Sequence, residues 1–387
     1  MTLSAEMIVP MEVEDDFGRV AHPTTTFLRY TVKLRYLPPD TAAFTRFGRI
    51  ALVSESLTHI TKSVAAKHLK WKHNASTFRD AVVSGRRSGV AYISTRIEED
   101  GTVVVEVHQD GGSRGKARPS PADRAPRTIV ATTTTADEPT ILAARREMQN
   151  WRKLALEPSA MRTPDSMTDS SRVGADGAHL AAALYRLVEA SSEAVYSDVA
   201  SNASELVDVR EVVVDVDPKR DILTLQARIG SGPMLPARAL SDGTLRFLAL
   251  CILLQDANFE GVMCMEEPEN GIHPAKIDAM VHLLRQLAVD PTKAPGTSNP
   301  FRQVIVNTHS PYFVVLQEDS ELLVATPATV RRDDGIARTI RLLPMKDTWR
   351  AGDQGFAGSR ASIVDYLRFP PEAPQMLDWA ERPVELQ

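Results

Sequence analysis

The stretch VMCMEEPENGIHP, Val262–Pro274, decides the fold. Four apolar residues, Val262 to Met265, run into Glu266 and Glu267. A proline, a third carboxylate at Glu269, the pair Asn270-Gly271 and the pair His273-Pro274 follow. Downstream, PAKIDAMVHLLRQLAV carries helical spacing and QVIVN reads as a second apolar strand. Strand, helix and strand at this spacing predict a βαβ unit with a parallel sheet, and the apolar strands predict burial on both faces. The carboxylates then fall at the carboxyl edge of the sheet, where α/β folds bind ligands. Adjacent acids are costly without compensation, and a hydrated Mg²⁺ with a polyphosphate supplies it. The alternative is a strand that exits into solvent, with Glu266 and Glu267 as surface charges.

Two neighbouring stretches bear on that choice. Upstream, ALSDGTLRFLAL opens a long apolar helix with a Ser-Asp-Gly turn. Ser241 can cap this helix, Gly243 permits close backbone approach, and the free N–H groups with the helix dipole favour an anion. Alone this is a good N-cap and nothing more. Downstream, VIVNTHSP ends a strand in Asn307, Thr308, His309 and Ser310; a lone strand-end histidine is more often structural than catalytic.

Taken together, in order and spacing, the three stretches resemble the second half of an ABC-type ATPase head. The likeness is to the SMC/RecF/OLD-like group, and more narrowly to AAA-family ATPases whose Walker B reads EEPEN-G-[LI]-HP. LSDGT looks like the signature motif, MCMEEP like Walker B, ENGIHP like the D-loop and NTHSP like the switch-histidine motif. The close match runs from Leu240 to Pro311, with a looser one back to the helices around Trp151 and GAHLAAAL. The resemblance implies an α/β, P-loop NTPase-like ABC ATPase head with a parallel core sheet, an antiparallel β lobe and a helical subdomain. It implies ATP and Mg²⁺. Glu266 would be the metal-side carboxylate, Glu267 the catalytic one that polarises water, and His309 the γ-phosphate contact. Ser241 and Gly243 would meet the nucleotide of the opposing subunit, with Asn270 and Gly271 at the dimer seam. Glu266 departs from the aspartate usual in the wider superfamily, and its extra methylene suits a metal contact through water.

A phosphate cradle of the form G-x-x-x-x-G-K-[ST] does not occur between Met1 and Gln387. The nearest stretch, GGSRGKA (Gly111–Ala117), has Asp110 where the first glycine is needed and Ala117 in place of Ser/Thr. The chain thus reads as if it begins downstream of its own Walker A. A late-placed start, a truncation, or a head that works beside a complete partner each account for this, and the intact Glu267 and His309 favour the first.

The rest of the 387 residues divides by pattern. Residues 1–108 read as an antiparallel β lobe: an irregular acidic start of about 20 residues, strands FLRYTVKLRYL and RIALVSES, and a hairpin turning at Asp100-Gly101. Residues 109–139, rich in Gly, Pro, Ser, Thr and Arg, read as a flexible insertion. Residues 140–208 form a helical subdomain in which ILAARREMQNWRKLAL is one helix. Residues 209–330 form the ATPase core, entered by the hairpin EVVVDVD/ILTLQARI, and 331–387 supply edge strands and a tail.

The net charge of −5, with 43% hydrophobic and 25% charged residues, excludes a protein that coats nucleic acid through bulk charge. No apolar run reaches the ~18 residues of a membrane span. Cys251 and Cys264 lie in apolar runs and read as reduced thiols, so a cytoplasmic protein without membrane contact is expected. Lys67, Lys70, Trp71 and Lys72, with RGKARPSPADRAPR, offer a weak nucleic-acid signal against the more ordinary reading of a solvated face. No zinc spacing, Ser/His/Asp triad or nuclease-like acidic cluster is found. The implied activity is ATP hydrolysis coupled to engagement of a second ATPase head, in a homodimer or with a complete partner subunit. By analogy it serves DNA repair, maintenance or phage defence, with DNA a possible partner. The alternative is a non-catalytic pseudo-ATPase that docks its signature on a complete head.

Overall fold

The computed structural model describes residues 1–39, 47–85, 89–110, 117–122, 125, 127–332, 335–352, 358–360, 363 and 375–376. It is a mixed α/β protein whose chain divides into two compact units. The first comprises Met1–Arg152, Ala257–Met263 and Ala288–Gln303; the second comprises Lys153–Asp256, Cys264–Leu287 and Val304–Gln387.

The first unit is built on an antiparallel sheet of six strands whose spatial order follows the chain: β1 (Thr2–Ile8), β2 (Phe27–Leu37), β3 (Arg49–His59), β4 (Ile93–Ile97), β5 (Val103–Val107) and β6 (Arg118–Pro121). Alternation explains the long second strand. Leu28, Tyr30, Val32 and Leu34 share one face and pack into the core with Met7, Leu57, Ile93 and Val105. The β4–β5 turn falls where the sequence places it, with Gly101 at φ +84°. Helix α1 (Pro139–Gln149) closes this core through Ile141, Leu142, Ala143 and Ala144.

Three stretches differ from expectation here. The irregular acidic start is in fact a strand, because Thr2–Ile8 pairs residue for residue with Phe27–Lys33 and turns Ala5 and Met7 inward. The glycine- and proline-rich insertion contains Arg118–Pro121, paired with β5, and a helical turn at Ile129–Thr132. That turn is anchored by the buried Glu55 carboxylate, which accepts from the N–H groups of Ile129 and Val130 and the Tyr30 hydroxyl. Burial pushes the Glu55 pKa up against these donors. Residues 111–116 of the GGSRGKA stretch lie outside the described residues. The helix read through ILAARREMQNWRKLAL stops at Gln149, where Trp151 Nε1 donates to Glu147 Oε1 at 2.9 Å and the chain turns extended.

Asp15 organises the turn after β1. Its Oδ1 accepts from the N–H groups of Phe17 and Arg19, and its Oδ2 from Ala136 N–H and Arg19 Nε. Burial works to raise its pKa, but the backbone donors and the guanidinium prevail and hold it at about 2 against an ordinary 3.8. A depressed folded pKa stabilises above the unfolded value and loses that contribution as pH falls through the folded one. The stability gap between wild type and Asp15→Asn, measured by urea midpoint, is therefore expected to close as pH drops from about 5 to about 2. A gap independent of pH contradicts the assignment.

The second unit holds β7 (Arg152–Leu154, which it enters at Lys153), α2 (Leu180–Ala190), α3 (Ala194–Ser204), β8 (Val209–Asp217), β9 (Ile222–Ile229), β10 (Met234–Pro236) and α4 (Asp242–Gln255). Next come β11 (Gly261–Glu266, in this unit from Cys264), α5 (Ile277–Leu287), β12 (Arg302–Asn307, in this unit from Val304), α6 (Pro311–Val315), β13 (Leu323–Arg332) and β14 (Gly335–Pro344). Strands β8–β10 form an antiparallel sheet against which α2 and α3 pack. The run α4 is apolar nearly all round and is buried from Gly243 to Leu253 except at Arg246, packing on α2, α3 and α5. Helix α5 buries Ile277, Met280, Val281 and Leu284 and exposes Asp278, His282 and Arg285.

The sheet that positions the site has the order β12-β11-β7. Gly261 N–H donates to Phe301 O and Glu267 N–H to Asn307 O, the same offset at both ends, so β11 and β12 run parallel as expected. Burial on both faces is not observed: Ile305 on the outer strand β12 is 49% exposed, because this sheet has three strands among the described residues. The stretches ELLVAT and TVRR form one strand, β13, paired antiparallel along its length with β14. Cys251 is buried and Cys264 half-buried, and both are free thiols. No helix among the described residues is long and apolar enough to cross a membrane.

Candidate functional site

Ser241, Gly243, Glu266, Glu267, Asn270, Gly271 and His309 all lie in the second unit. The chain leaves β11 at Glu266, and the next residue takes a conformation rare for a side chain with Cβ: Glu267 has φ +43°. Strain of this kind costs about 1–3 kcal/mol and collects at functional positions. Here it is held from both sides. Glu267 N–H donates to Asn307 O at 2.7 Å, and Glu267 O accepts from Asn270 N–H at 2.9 Å. Gly271 at φ +82° completes the reversal, Ile272 N–H closes on Glu269 O at 3.0 Å, and His273 caps the turn that leads into α5.

Two other segments meet this turn. Helix α4 begins beside it. Ser241 Oγ accepts from Thr244 N–H as a helix cap, and Arg162 braces the start through Leu240 O and Asp242. Gly243 is buried, and a Cβ there would stand 2.9 Å from Gly271 O. Gly243 is thus packed closely against the Gly271 turn, and Ser241 and Asp242 are the exposed start of the helix. One turn on, Arg246 donates to Asn270 O at 2.6 Å and to Leu156 O at 3.2 Å. The second segment is the end of β12. Asn307 receives Glu267 N–H, the Thr308 hydroxyl donates to Glu269 Oε1, and His309 is exposed between Thr308 and Ser310. Asn270 and Gly271 are exposed at the outside of the turn.

Glu266 is exposed and faces Lys153 of β7, whose Nζ is 2.9 Å from its Oε1. Lys153, Arg246 and the Glu269–Thr308 pair carry no assignment from sequence. A lone lysine or arginine gives no signal there, whereas Glu269 is visible as the third acid of the stretch. Glu266 and Glu267 offer carboxylate oxygens of the kind that a hard divalent cation takes. The Lys153 ammonium is thus a competitor for the Glu266 carboxylate, through Oε1.

Residues 137–315, slightly under half of the chain, match the family model described as "AAA domain, putative AbiEii toxin, Type IV TA system". That span contains the start of α4, the carboxylate turn and the His309 loop. Comparison with curated proteins finds no match. Similar solved structures include an Smc head bound to the C-winged helix domain of ScpA, at 10% identity and TM-score 0.35, covering 85% of this chain and 78% of that one. The SMC head domain from Thermotoga maritima has 11% identity and TM-score 0.25, covering 81% and 99%. The Smc head with coiled coil and joint from Pyrococcus yayanosii has 11% identity and TM-score 0.29; it covers 46% of this chain, which spans 29% of that protein.

Proposed function

We propose that the second unit is the signature and Walker B half of an ABC-type ATPase head of the SMC/RecF/OLD-like group, and that it hydrolyses ATP with Mg²⁺ when two heads engage. The observation that carries the reading is the meeting of three separate motifs at one turn. Glu267 is tied to Asn307, and Gly243 packs against Gly271. A solvated strand end needs neither.

In this reading Glu267 accepts the proton of the attacking water, held at its post by a backbone that its own side chain does not support. Glu266 would hold Mg²⁺ through water in competition with Lys153, and bound Mg²⁺ neutralises charge on the phosphates. His309 stands at the strand end toward the γ-phosphate. Ser241, at the positive start of α4, addresses the nucleotide of the opposite subunit, and Asn270 with Gly271 forms the seam. In this reading the signature residues meet the P-loop of a complete partner subunit. The setting is the cytoplasm. The use is DNA repair, maintenance or phage defence, an assignment that rests on the motif resemblance; the toxin description of the matched family model accords with defence.

The test is Mg²⁺-dependent phosphate release from ATP by the assembled protein, compared with a variant at Glu267. Release that is absent, or indifferent to Glu267, overturns the reading.

A further inference from the structure

The Glu269 carboxylate has no part in the chemistry above, yet it is nine-tenths buried inside the turn that does. Its Oε1 accepts from the Thr308 hydroxyl, and its Oε2 has no hydrogen-bond partner among the described residues. The same Thr308 oxygen accepts Ser310 N–H at 2.9 Å, and Ser310 Oγ in turn caps α6 through Phe313 N–H. Both neighbours of His309 are thus fixed by one short relay that starts at Glu269. On the other side of the turn, Arg246 of α4 holds Asn270 O, one residue from Glu269.

From this we propose that Glu269 and Thr308 form a latch that positions His309 and ties it to the turn carrying Glu267 and the seam. Glu269 is a positioning residue and acts through Thr308; the inference rests on the ATPase reading only for its effect on turnover. A hydroxyl-to-carboxylate bond is charge-assisted and stronger than a neutral one. The unpartnered Oε2 makes it more consequential: removing the Thr308 hydroxyl leaves a buried carboxylate with neither oxygen satisfied. Thr308→Val is therefore expected to be more disruptive than Glu269→Gln, which keeps an acceptor oxygen facing Thr308.

Two readouts separate the latch from the ATPase reading. The first is amide hydrogen exchange of the full chain without nucleotide. Backbone amides between residues 308 and 316 are expected to exchange about tenfold faster in Thr308→Val and Glu269→Ala, and at the wild-type rate in Thr308→Ser, which restores the hydroxyl. The second is turnover in the assembled protein. Each disruptive variant is expected to lower kcat about tenfold or more with KM nearly unchanged, and the double variant to be no worse than the worse single, as for members of one network. Should Thr308→Val fail to fold, Glu269→Ala carries both comparisons, with Glu269→Gln as its conservative control. Unchanged exchange in the disruptive variants, no rescue by serine, or additive losses in kcat overturns the latch. If the wild type shows no turnover, the ATPase reading falls and the exchange result alone decides the latch.

Discussion

Replacing Glu267 with glutamine is expected to slow ATP turnover in the assembled protein by about 10²–10⁴-fold, the usual worth of a positioned general base. On the proposed function, in which hydrolysis releases the engaged heads, the ATP-bound dimer is expected to outlive its wild-type counterpart. The substitution is clean for a structural reason. The left-handed backbone at Glu267 is held by Asn307 O and Asn270 N–H, contacts of the main chain that glutamine keeps. Glutamine is nearly isosteric, so stability should stay within about 0.5 kcal/mol of wild type, and the lost rate reports the lost carboxylate. Phosphate release and the lifetime of the nucleotide-bound dimer are the measurements. A docking module without chemistry would be indifferent to the change, so equal rates in the two proteins would assign this chain the pseudo-ATPase role.

The second large effect is expected at Gly243. Its conformation is ordinary; what the position lacks is room. A Cβ would meet Gly271 O at 2.9 Å and Ile272 Cγ1 at 3.8 Å, and the nearer atom is backbone that cannot rotate aside. Gly243→Ala has to displace either the start of α4 or the turn at Gly271, at about 1–3 kcal/mol for overpacking of this kind. Both elements face the partner head in the proposed assembly, so nucleotide-dependent dimerisation should weaken about tenfold or more. Gly296→Ala is the matched control, because among the described residues no atom beyond its chain neighbours lies within 4 Å of its Cβ position. Melting temperature and sedimentation read the two effects, and equal behaviour of the two variants would mean that the packing at Gly271 is unimportant.

What was legible in the sequence follows from how local each signal is. Strands β2 and β3, the β4–β5 and β8–β9 hairpins, and the alternation of β11, α5 and β12 are written in periodicity and turn residues that act over a few positions. They are found where the pattern puts them. The N-terminal strand was missed because TLSAEMI is only half alternating, and it becomes a strand by pairing with Phe27–Lys33. Arg118–Pro121 likewise depends on the edge that β5 offers it. The helical reading through Trp151 failed because nothing in RKL signals an extended turn; its partner strand lies a hundred residues away in sequence. At the site, the acids, the histidine and the capping serine were visible as residue types. The left-handed Glu267, the burial of Gly243 beneath Gly271 and the Thr308–Glu269 bond were not, because each depends on a second segment, distant in sequence, arriving at this turn.

The most direct measurement is photolabelling of the assembled protein with an ATP analogue carrying an azidoanilide on its γ-phosphate, with the labelled peptides mapped by mass spectrometry. Mg²⁺-dependent label, displaced by ATP, is expected on peptides containing Ser241, Glu267 or His309. Label confined to other parts of the chain, or no displaceable label at all, would contradict it.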